Sequence, residues 1–128
     1  MPWDRATVTA SLAQLLSAAL GGAVTVFDRP PLSLNVPAVV IGRAENVQYG
    51  VPTMGIDTTT LPVHCVGAID ADDTVDALKA TCRSAVFDDP TLAGTVQRAT
   101  CTGERNWRNV PVSGAEVLAV DLIIDITM

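Results

Sequence analysis

Lysine is almost absent: Lys79 is the single one in 128 residues, and His64 is the single histidine. A protein that holds nucleic acid usually shows a basic stripe that neutralises phosphates. Here seven arginines are scattered along the chain, eleven aspartates outweigh them, and the net charge is −6. Stable DNA or RNA binding is therefore not expected. Cys65, Cys82 and Cys101 are odd in number and form no C-x-x-C pair, so neither a zinc site nor a redox motif has local support. Buried reduced thiols are the expectation. No apolar run approaches the ~20 residues of a membrane span. The opening "MPWDRATVTASL" lacks the basic-then-apolar order of a signal peptide. The expected product is soluble, made in the cytoplasm, and without a membrane partner. A phosphate-binding glycine loop is also missing, because Gly21-Gly22 ends a helical pattern and no lysine follows it.

What is present is apolar and patterned. About half of the chain is hydrophobic, and its length fits one domain over residues 1–128. Val8, Leu12, Leu15, Leu16 and Ala19 recur at helical spacing, with Thr9, Gln14 and Ser17 on the opposite face. Asp4 or Thr7 can cap that helix, and Gly21-Gly22 can stop it. Ala23–Phe27 reads as a short strand. The three prolines in 28–37 dictate a loop lying across the surface. Ala38–Gly42 is a continuous apolar run, as in a central strand. Thr58–Ile69 alternates: Leu61, Val63, Cys65 and Ile69 on one face, Thr60, His64 and Val66 on the other. Pro62 argues for an edge position. A second helix follows, with Val75, Leu78, Cys82, Ala85 and Val86 as its stripe, Asp70 or Asp72 as cap, and Pro90 as its end.

"TVQRATCTG" and "NVPV" are weaker strands flanking "ERNWRN". In the final strand, Leu118, Val120, Leu122, Ile124 and Ile126 face the core, and Val117, Ala119, Asp121, Ile123 and Asp125 face away. The expected fold is α+β, in the order α-β-β-β-α-β-β: a curved, mostly antiparallel sheet with two helices packed on one face.

Candidate chemistry is sparse. His64 and Cys65 are neighbours on a strand, so their side chains point to opposite faces and cannot act as a nucleophile–base pair. Asp121 and Asp125 are about 13 Å apart along a strand, too far for paired glycosidase carboxylates. They read as a solvated or subunit-facing surface. Asp70, Asp72, Asp73 and Asp76 lack the glycine and terminal glutamate of a calcium loop. No catalytic, cofactor-binding or metal-ligating residue is assigned, and no cofactor is expected.

Two segments suggest partners instead. Arg43–Asp57 reads as a long loop, yet it carries Val47, Tyr49, Val51, Met54 and Ile56. Those side chains either fold back over a sheet edge or meet another molecule. "GERNWRN" places Arg105, Trp107 and Arg108 together, residue types that dominate interface energetics. An exposed hairpin tip is its plain structural reading, and a protein–protein contact is the preferred functional one.

The order of elements, with "VTVFDRPP", "VPAVVIG", "LPVHCVGAID" and "FDDPTLAGTV", resembles the tail-terminator (tail-completion) proteins of long-tailed, siphovirus-type phages, particularly those of actinobacterial hosts. The resemblance covers nearly the whole chain and rests most on Asp89, Pro90, Leu92, Gly94 and Val96. It implies a subunit of a ring, typically a hexamer, at the head-proximal end of the virion tail. Such a ring ends tail-tube polymerisation and joins the tail to the neck. The implied partners are other copies of the chain, the major tail-tube protein and the head–tail connector. DNA passes through the lumen without specific binding, and Asp121 and Asp125 are candidates to line it. The alternatives are a head–tail connector or neck adaptor and, from another class, a small α+β ligand-binding or enzymatic domain.

Overall fold

A computed structural model describes residues 4–31, 35–50, 57–112 and 114–128. The elements are α1 (Arg5–Leu20), β1 (Thr25–Phe27), β2 (Ala38–Ile41), β3 (Glu45–Gln48), β4 (Thr58–Ala68), α2 (Asp72–Asp88), β5 (Arg98–Val112) and β6 (Ala115–Thr127). They form one six-stranded sheet in the order β1-β2-β4-β6-β5, with β3 also paired to β4. β1 and β2 are parallel, and every other pairing is antiparallel. Both helices pack on one face. The expected α+β class and one-sided helical layer are therefore the observed ones.

The main core lies between helices and sheet. Val8, Leu12 and Leu16 of α1 and Val75, Leu78, Cys82, Ala85 and Val86 of α2 meet Leu61, Val63 and Cys65 of β4 and the core-facing residues of β6. Burial of each Val or Leu of this kind contributes about 1.5–3 kcal/mol. The edges of the α1 stripe differ from expectation. Thr9 is buried and Ala19 is exposed. Thr9 is tolerated there because its hydroxyl donates to the Arg5 carbonyl at 2.7 Å, which leaves no unsatisfied polar atom. Ile69, expected inside, is 42% exposed, because the chain has already left β4 for the turn into α2. The cap position of α2 is Ala71 rather than an aspartate, although Asp72 and Asp73 do occupy its first turn.

Three further expectations are corrected. First, Arg43–Asp57 is not wholly a loop: β3 pairs Glu45 with Thr60 and Gln48 with Thr58. Second, Pro62 sits in a central strand. β2 and β3 share the same edge of β4 end to end, β2 ending opposite Val63 and β3 beginning opposite Thr60. The Pro62 carbonyl accepts from the Gly42 amide at 2.8 Å. An extended residue presents its N and O on the same edge, so the missing N–H of Pro62 faces the junction between two short strands and breaks no ladder bond. Third, "ERNWRN" is not a hairpin tip. β5 runs unbroken through it for 15 residues, and the turn to β6 comes at Gly114, with φ +83°.

The α2–β5 junction behaves as its sequence suggests. Leu92 is fully buried, folded back onto the core. Leu92, Ala93 and Gly94 are all left-handed, with φ of 48°, 59° and 82°. Asp89 supports them: its carboxylate accepts from the Ala93 amide and the Thr91 hydroxyl, both at 2.9 Å. Those bonds hold the Asp89 carboxyl below its usual range.

Candidate functional site

The face of the sheet away from the helices carries a polar cluster centred on Asp121. It is built by a bulge. β5 pairs Arg105 with Asp121 and Arg108 with Ala119, so three steps of β5 span two of β6. Asn106, at φ +61°, absorbs the extra residue. Residues three apart in a regular strand point to opposite faces. The bulge instead brings Arg105 and Arg108 to the same face and sends Trp107 to the other.

Asp121 is the hub. It is only 4% exposed. His64 Nδ1 lies 2.5 Å from Oδ1, and Arg108 Nη1 donates to the same oxygen at 3.0 Å. Asn106 Nδ2 donates to Oδ2 at 3.4 Å, and Arg105 Nε is 3.9 Å away. Burial pushes the Asp121 carboxyl upward, but the hydrogen bonds and charges of His64 and Arg108 outweigh it and hold the group below its usual range. Arg105 also grips Glu45 of β3 through both carboxylate oxygens, and this pairing raises its pKa. The cluster therefore ties β3, β4, β5 and β6 together. Asp121 lies on the expected face but is neither solvated nor a free negative charge. Asp125 on the same strand is exposed, and it accepts from the Thr60 hydroxyl at 3.0 Å.

Beside this cluster the same face turns apolar. Val66, Val117 and Ala119 are buried, with Val36, Val110 and Val112 packed against them. Val66, Val110, Val112, Val117 and Ala119 line a shallow groove of about 180 Å³ together with Pro30 and Pro31.

Trp107 belongs to the helix side. Its indole Nε1 donates to Glu104 at 2.7 Å, and Lys79 of α2 donates to the same carboxylate at 2.6 Å. The Lys79 ammonium lies 5.0 Å from the Trp107 ring centroid. Burial would lower the Lys79 pKa, but Glu104 and Asp76 outweigh it and raise it. The expected trio of Arg105, Trp107 and Arg108 is thus divided between two faces. Val47 is half-buried and Tyr49 is 76% exposed, while Val51, Met54 and Ile56 lie outside the described residues.

The thiols are poorly placed as nucleophiles, since the reactive species is the thiolate. A hydrogen bond with the Cys82 thiol, and then burial, push Cys65 far up. Burial pushes Cys101 up to about 11. Cys65 points into the core and His64 to the other face, as strand alternation requires. Among the described residues, no three His, Cys, Asp or Glu side chains are grouped to hold a metal ion.

Comparison with solved structures finds the same arrangement elsewhere. The chain matches a chain from the virion of a native gene transfer agent particle with a TM-score of 0.56 and 17% identity, covering 98% of each chain. The two share a fold. At this identity the likeness shows nothing finer. No protein-family model and no curated protein matches the chain.

The sequence did not reveal the roles of Glu45, Asn106 and Lys79. An Asn within "ERNWRN" was the available signal, because Asn tolerates the left-handed conformation that a bulge requires. Glu45 and Lys79 gain their partners only through the sheet register and helix docking.

Proposed function

We propose that the chain is a structural virion protein: a tail terminator that assembles as a hexameric ring on the head-proximal end of a phage tail tube. In this reading the ring ends tube polymerisation, presents a surface to the head–tail connector, and lets DNA pass through its lumen. The observation that carries the proposal is the end-to-end fold match to a chain of a virion particle. The sequence resemblance around Asp89–Val96 points to the terminator role within that class.

The shape is also suited to assembly. Both helices cover one sheet face, leaving the other with an apolar groove and an ion cluster. β5 is a long edge strand, and Tyr49, Phe87 and Trp107 are large exposed side chains. The charged groups around Asp121 and Lys79 are paired with one another rather than converged on a reacting centre. Asp125, exposed on β6, stays a candidate lumen residue.

The test is functional. Purified chain added to polymerising tail-tube protein should halt tube growth, and negative-stain images should show rings at one tube end. Binding to portal-side connector with no effect on tube length would favour a neck adaptor instead. A monomer that binds a metabolite would favour the ligand-binding domain.

A further inference from the structure

Arg5, Arg29 and Arg43 are far apart in sequence but meet in the fold. With Pro30 and Ala44 they line an open pocket of about 490 Å³. Arg5 opens α1, where the helix dipole adds positive potential. Its Nη2 donates to the Asp28 carbonyl at 3.3 Å, which pins the helix start to the end of β1. Arg29 is 3.6 Å from the Asp28 carboxylate and remains largely exposed. Arg43 is exposed, and its side chain makes no ion pair or hydrogen bond among the described residues. Three of the eight cations of an acidic chain thus share one opening.

A second surface, beyond the C-terminal end of β4, is acidic. β2 runs from Ala38, opposite Val66, to Ile41, opposite Val63, so Arg43 follows its C-terminal end, in the link to β3 beside the middle of β4. β1 is parallel to β2 and delivers Asp28 and Arg29 to that same end. β4 runs the other way and delivers Asp70, Asp72 and Asp73 to the far end. All three aspartates are exposed and make no ion pair or side-chain hydrogen bond among the described residues, whereas Asp76 is taken by Lys79 at 3.0 Å.

We infer that the Arg5–Arg29–Arg43 pocket is a subunit contact that receives the carboxylates of Asp70, Asp72 and Asp73 from a second copy of this chain. Opposite charges on two separate surfaces make a head-to-tail contact, in which each copy gives one surface and receives on the other. A contact of that type closes into a ring when its rotation allows. A second copy fits better than a nucleic-acid backbone, because the net charge of −6 would repel phosphates beyond the pocket. The inference rests on the reading of the chain as a ring subunit.

The experiment uses charge reversal on the full chain. One variant carries Arg29→Glu and Arg43→Glu, the other Asp72→Lys and Asp73→Lys. All four positions are exposed, and circular dichroism melts check that each variant folds. By mass photometry, each variant alone should associate roughly a hundredfold more weakly than wild type, since like charges then face each other. Mixing the two should restore rings, because each variant's reversed surface meets a complementary one on the other. Rising salt should weaken the wild-type ring. Wild-type rings alongside fully assembling variants would overturn this contact and leave the ring reading standing. A wild type that stays monomeric, with and without tail tube, would overturn both. If Arg29→Glu/Arg43→Glu assembles normally but loses binding to labelled duplex DNA, the pocket takes phosphate and the second copy is the wrong occupant.

Discussion

Asp121→Asn should destabilise the chain by about 2 kcal/mol at neutral pH. The substitution keeps the side chain's shape and removes its charge. Two charged-group hydrogen bonds reach Oδ1, from His64 at 2.5 Å and Arg108 at 3.0 Å. Bonds to charged groups contribute about 1.5–3 kcal/mol each. That figure must be discounted, because the Arg108 and Arg105 side chains are 38% and 42% exposed and regain water when Asp121 is neutralised. The carboxylate itself is buried, so its own share survives the discount. For a domain of this size a loss of about 2 kcal/mol lowers Tm by roughly 6–10 °C.

The effect has a pH signature. The Asp121 carboxyl is held below its usual value in the folded state, so the unfolded chain takes up its proton first as pH falls. Its stabilisation is complete above the unfolded carboxyl pKa of about 3.9 and is lost as pH drops through the lower folded value. The gap between wild type and Asp121→Asn should therefore stay constant from neutral pH to about 5 and close below about 4. Thermal melts by circular dichroism across that range measure it. An unchanged Tm for the variant at pH 7, or a gap that widens in acid, would refute the claim that this cluster stabilises the sheet.

Four other outcomes are expected. Gly94→Ala should cost about 1–2 kcal/mol from backbone strain alone, since φ is +82° and nothing lies within 4 Å of the added methyl, whereas Gly22→Ala should not destabilise in chemical denaturation. Leu92→Ala should cost about 2–5 kcal/mol in the same assay, because the side chain is wholly buried. Gly67→Ala should lose about 1–3 kcal/mol, as its Cβ would fall 2.7 Å from Val75 Cγ2 of α2. Thiol labelling of the native chain followed by peptide mapping should find Cys101 modified first, increasingly fast as pH rises toward about 11, and Cys65 and Cys82 only on unfolding.

Legibility followed the range of the interactions. The α2 stripe, the inward face of β6 and the Leu92 turn were readable because spacing and turn chemistry are local properties. Leu92, Ala93 and Gly94 share one left-handed run; Asp89 accepts from the Leu92 and Ala93 amides, and the Thr91 hydroxyl accepts from Gly94. Pro62 misled because an edge rule assumes that one strand covers a neighbour's full length. Here two short strands divide that edge, and only the register shows that the proline faces their junction.

The polar site was less legible because one residue of slip decides it. If β5 were regular, Arg105 would still oppose Asp121, but Arg108 would turn to the helix face and Trp107 away from Lys79. The bulge at Asn106 reverses both. It converts "ERNWRN" from a loose basic motif into two separate devices, one pairing a buried carboxylate and one fastening an edge strand to α2. A strand fixed on both faces can hold its place at a sheet edge without a neighbour. That is what a subunit needs if the edge must survive exposed before assembly, and it places the structural demand of the fold where the proposed function would put it.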